Sequence, residues 1–186
     1  LQLLIMAESA ARKGQVVALL PRITARAKEL REIQKEAEAS KAAAATLKDR
    51  PDDPEANLTQ GKYLCLRKGD WANGLVLLSK GSDARLKNAA ELDIKAAKGT
   101  TTDQVAAGDA WYDLVPSAEP AVKPTIQARA HSCYAAAAAQ LTGLTKARID
   151  QRLAELQSIV DARLDKSISW AIVRKAIADK QLTRWE

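Results

Sequence analysis

Apolar residues recur along this chain at three-and-four spacing, and no run shows the two-residue alternation of a strand. The pattern therefore predicts helices from end to end. A first helix over 1–12 carries Leu4, Ala7, Ala10 and Ala11 as its apolar stripe, and Gly14 ends it just after Arg12 and Lys13. A second begins at Gln15 with Val16, Val17, Leu19 and Leu20. Pro21 then either kinks that helix or occupies the first turn of a new one, where its missing N–H costs nothing. The longest helix is predicted over 22–47, near 40 Å at about 1.5 Å per residue. Its narrow seam of Ile23, Ala27, Leu30, Ala37, Ala44 and Leu47 fits an arm or coiled-coil segment against an antiparallel partner, or a connector between two stacks of helices.

The stretch 51–83 is the hairpin around which the chain is organised. Asp53 is placed to cap a helix that has Pro54 at its first position and Glu55 in its first turn. That helix is expected to run to about Arg67, with Leu58, Gly61, Leu64 and Cys65 on one face. Gly69 supplies a left-handed turn, Asp70 caps, and Trp71 opens a return helix with Leu75, Leu77 and Leu78 that Gly81 ends. Asp83 caps a short helix carrying Leu86, Ala89, Ala90, Leu92 and Ile94. After a polar break at 98–102, Thr102 or Asp103 caps a helix through Val105, Gly108, Trp111, Tyr112 and Leu114. Pro116 and Pro120 make 115–123 a loop, and Pro124 opens a helix with Ile126, Ala130, Cys133 and Tyr134. Leu141-Thr142-Gly143 ends that one. A helix from Leu144 carries Ile149, Leu153, Leu156 and Val160, and a separate last helix from Ser167 carries Trp170, Ile172, Val173 and Ile177.

Two hairpins share a device. In the first, Gly61 lies eight residues before Gly69, and Gly74-x₃-Leu78 stands on the return helix. In the second, Ala107-Gly108-x₂-Trp111 opens and Ala130-x₃-Tyr134 closes. A small residue at a crossing point lets two helix axes approach, and a large one a turn away fills the groove. These motifs resemble the tetratricopeptide repeat, W-x₂-L-G-x₂-Y followed by A-x₃-F and P. Asn57 and Gln104 stand at the Trp position, and Gly74 stands at the first Ala. The first hairpin has one residue too many in its turn, and the second has a long proline-containing loop. Ala7 and Gly14 fit a degenerate earlier unit. The resemblance implies an all-α fold, an irregular α-solenoid of antiparallel helix hairpins with one long helix. It is expected as a single helical domain over 1–186: a degenerate hairpin plus the long helix in 1–50, the first repeat-like hairpin and a short helix in 51–100, the second hairpin in 101–140, and C-terminal helices in 141–186. The runs DPEANLTQGKYLCLRKGDWANGLVLLSKGSD, GDAWYDL and GLTKARIDQRLAEL also resemble a helical segment of large bacterial multidomain proteins of unknown function. That likeness implies a non-catalytic spacer or interaction region of a longer chain, exported in several cases. The start at Leu1 and the apolar pattern still running at Trp185 fit cut edges.

Composition adds limits. Apolar residues make up 47% of the 186, enough for a core and too many for a disordered chain. Phe is absent, so Trp71, Trp111 and Tyr134 are expected to staple alanine-rich helices together. The net charge of +6 is concentrated before Pro51, where ten basic residues face six acidic ones. Their mixture at helical spacing predicts a solvated face. Nucleic-acid binding through Arg22, Arg26, Arg31 and Lys35 would need a one-sided stripe with stacking aromatics. No segment has the roughly 20 apolar residues of a membrane helix.

Catalytic chemistry finds no set of residues. Cys65 and Cys133, 68 residues apart, are expected as buried thiols, with a disulfide the alternative. Neither forms a metal-ligand spacing with His131. His131 and Cys133 point about 200° apart on one helix, which argues against a nucleophile pair between them and leaves a surface or packing histidine as the expectation. Asp109 and Asp113 share a helix face without a third partner, so a solvated flank is expected. No phosphate-binding loop surrounds Gly69 or Gly108. The expectation is a binding module without metal, cofactor or catalysis, whose protein or peptide partner meets a groove formed by the first helices of the hairpins. Asn57, Gln60, Lys62, Gln104, Asp109 and Tyr112 are its candidate contacts. A structural spacer between domains is the alternative.

Overall fold

The computed structural model describes residues 20–178 together with Ser9 and Lys13, and side chains as far as Ala162. The helices expected over 1–12 and from Gln15, and the Trp185 end, lie outside these residues. The described chain is all-α: seven α-helices, one π stretch and one 3₁₀ turn, without a strand among the described residues.

Helix α1 (Leu20–Asp49) has Pro21 in its first turn. Helix α2 (Pro54–Lys62) is capped by the Asp53 side chain, which accepts the Ala56 N–H at 3.0 Å, and Pro54 opens it. It passes into a π-helix at Tyr63–Lys68, closed by Gly69 at φ 72°. The surplus residue of the first hairpin was expected in its turn. The structure absorbs it inside the helix, where the Gly69 N–H reaches back five residues to the Leu64 carbonyl. The Gly69-Asp70 turn thereby stays short, and α3 (Trp71–Leu78) starts at once under an Asp70 cap.

Helix α4 (Ala84–Ala96) is capped by Asp83, whose carboxylate accepts the Arg85 and Leu86 N–H groups at 3.0 Å each. Helix α5 (Thr101–Tyr112) begins earlier than expected. Its cap is Thr100, not Thr102 or Asp103. Thr100 and Asp103 form a reciprocal capping box, so Asp103 serves from the third helical position instead. After the 3₁₀ turn Val115–Ser117, α6 (Lys123–Ala138) has Pro124 in its first turn. Helix α7 (Gly143–Ala178) is continuous, which corrects the expected break at Ser167. No Gly or Pro stands between Leu144 and Ala178 to stop it, and one serine costs a helix only a few tenths of a kcal/mol.

Each helix packs chiefly on its neighbours in the chain, and the π stretch additionally touches α1 and α6. The core is built from Leu66, Leu75, Leu78, Trp111, Ile126, Tyr134, Ile149 and Leu156 around fully buried alanines. The small residues sit at the crossings that the hairpin pattern predicts. A Cβ on Gly61 would lie 2.9 Å from Leu78 Cγ, one on Gly108 would lie 2.5 Å from Tyr134 Cε1, and one on Gly74 would collide with Cys65 Sγ. Trp71 meets the fully buried Trp111 edge to face, with ring centroids 5.3 Å apart. The three aromatic staples expected from the sequence are thus packing groups.

Candidate functional site

The π register sets Cys65 into the core and brings Tyr63, Leu66 and Arg67 onto one wall of a groove. Helix α1 supplies the facing wall through Glu36 and Ala39, and the start of α4 and the α5–α6 connection close the far side. The space measures about 380 Å³. Buried Leu66, Leu86, Leu114 and Ile126 form an apolar floor, and charged side chains form the rim.

Two arginines hold the groove's shape. Arg67 clasps Glu36 with two parallel bonds, Nε to Oε2 and Nη2 to Oε1, each 2.5 Å. The bond to Glu36 raises the guanidinium's pKa, although burial opposes it. Arg85 donates Nη1 to Ser117 Oγ at 3.0 Å and Nη2 to the Asp113 carbonyl at 2.6 Å, pinning the start of α4 to the end of α5. Lys62 stands exposed on the rim with no ion pair among the described residues.

A polar knot lies inside the core, away from the groove lining. Asp93, 4% exposed, accepts the indole N–H of Trp111 at 2.7 Å and two bonds from Arg129 at 2.6 and 2.7 Å. The Arg129 guanidinium stacks over Trp71, 4.8 Å from the ring centroid. Cys65 and Cys133 flank this knot as free, buried thiols, not a disulfide. Burial pushes both thiols up to about 12. A thiol held protonated in this way is a packing group and a poor nucleophile.

A second knot ties α5 and α6 to α7. Asp109 accepts from Tyr134 Oη at 2.7 Å, from Arg148 and from Arg152. The Arg152 guanidinium lies 4.5 Å from the Tyr112 ring centroid, and Tyr112 Oη donates to Glu155 at 3.0 Å. Burial first, then the bond to Asp109, raises the Tyr134 phenol well above its ordinary range. Asp109 is therefore a junction between helices and not the solvated flank expected, while Asp113 ends α5 on the surface.

The six candidate contacts do not share one surface. Asn57 is fully buried, which corrects its place on a binding face. Its Nδ2 donates to the Pro51 and Asp53 carbonyls at 2.9 Å each and staples the α1–α2 turn, and its Oδ1 has no partner. Gln60 is half-buried and accepts from Ser40 of α1 at 2.6 Å. Lys62 alone lines the groove. Gln104 borders a separate shallow cleft with Arg129, Ser132 and Cys133. Asp109 and Tyr112 belong to the α5–α7 knot. His131 is hydrogen-bonded to Gln157 across 3.1 Å. Glu36, Arg67, Arg85 and Ser117 were not singled out in the sequence. Of these, only Arg67 had a signal in the sequence, the surplus residue of the first hairpin that the π stretch absorbs.

No protein family, characterised protein or solved structure matches the chain. Among the described residues no group of three His, Cys, Asp or Glu side chains is placed to hold a metal ion. No helix among them is long and apolar enough to cross a membrane.

Proposed function

We propose that this chain is a non-catalytic protein–protein interaction or scaffolding module, an irregular stack of antiparallel helix hairpins in which the groove beside the π stretch receives the partner. The groove carries the proposal. It combines an apolar floor with a charged rim, the usual composition of a binding cleft. One of its walls is a π stretch, a costly departure from α geometry that is found often at functional sites. The elements around it are held rigidly by Arg67–Glu36 and by Arg85, so its shape exists before a partner arrives. The buried carboxylate Asp93 and the half-buried Asp109 are engaged in links between helices, which supports a role without catalysis.

The test uses a photo-crosslinking residue at Lys62, on the groove rim, and another at Val76, exposed at 51% on α3 and outside the lining. In the native host, the Lys62 position should capture one defined protein that Val76 does not, and Ala39→Arg, at an exposed position of the facing wall, should abolish that capture without loss of helix content. Equal capture at both positions, or none at Lys62, refutes groove binding. The second outcome supports the alternative of a structural spacer, for which the long α1 and α7 helices at either end of the array speak. Nucleic-acid binding through Arg22, Arg26, Arg31 and Lys35 is the weaker reading, since Arg26 is already paired with Glu29. A gel shift at low salt that disappears steeply with added salt would revive it.

A further inference from the structure

We draw no further inference here: the strongest candidate, the half-apolar groove between the π stretch, the start of α4 and the α5–α6 connection, is the surface already described, and with the cations Lys62, Arg67 and Arg85 balanced by the carboxylates Glu36, Asp83 and Glu119 along its lining, nothing in the structure shows what covers it.

Discussion

Replacing Asp93 by alanine strips three hydrogen bonds from the centre of the molecule at once. The indole N–H of Trp111 is left without an acceptor at a fully buried side chain. An orphaned buried donor costs about 1–3 kcal/mol. The Arg129 guanidinium loses its counter-charge, and breaking one side of a buried ion pair costs about 3–5 kcal/mol. Arg129 keeps 23% of its side-chain surface exposed, so solvent recovers part of this loss and the lower end of that range applies. The two terms share one carboxylate and do not add in full. The expected loss is about 3–4 kcal/mol, a large fraction of the roughly 5–15 kcal/mol that holds a domain together. Asp93→Asn keeps one acceptor oxygen and should lose less. The double replacement Asp93→Leu with Arg129→Leu removes both charges and leaves only the Trp111 N–H unpaired. It should be more stable than Asp93→Ala. Urea melts followed by circular dichroism on the four proteins measure the differences, and a double-mutant cycle with Asp93→Leu and Arg129→Leu singly gives the coupling. A loss below about 1 kcal/mol for Asp93→Ala, or a double variant that loses the sum of its singles, would refute the reasoning.

Other expectations are independent of this one. Gly108→Ala should destabilise by about 1–3 kcal/mol, because its Cβ meets the buried Tyr134 ring; an unchanged thermal midpoint would mean that the ring gives way freely. Both thiols ionise near 12 when folded and near the ordinary value of 9 when unfolded, so the folded state holds the extra protons. Stability should therefore be full below pH 9 and fall between pH 9 and 12, by about 1.4 kcal/mol per pH unit per thiol, and the Cys65→Ala, Cys133→Ala variant should show a shallower slope in urea melts across that window. Deleting Lys68 should return the π stretch to α register and part Arg67 from Glu36. Coupling between those two positions, on the order of 1 kcal/mol in the parent, should vanish while the far-ultraviolet helix signal persists.

Helical periodicity carried most of the element order, because caps and breakers are local chemistry. Asp53, Asp70 and Asp83 cap where a short acceptor precedes an apolar run, and Gly69 turns where a positive φ is needed. The two misplacements have physical causes. Three consecutive threonines offer equivalent caps, and only the reciprocal bond with Asp103 selects Thr100. The continuity of α7 past Ser167 rests on the absence of a breaker, a weaker signal than the presence of one. The groove was far less legible. Glu36 and Arg67 stand 31 residues apart, and Arg67 lies on a π stretch, which no pattern of apolar positions encodes. Asn57 falls on the expected binding face because it stands on the first helix of its hairpin. Here two carbonyls of a proline-rich turn need its amide donors.

The collision between a Gly74 side chain and the Cys65 sulfur has a counterpart in time. The space that glycine leaves empty is the space the sulfur fills. An oxygen or a mixed disulfide added to that sulfur would need room that the closed hairpin does not have. Modification of Cys65 therefore requires α3 to move away from the π stretch. The rate at which a thiol reagent reaches this one atom reports how often the first hairpin opens.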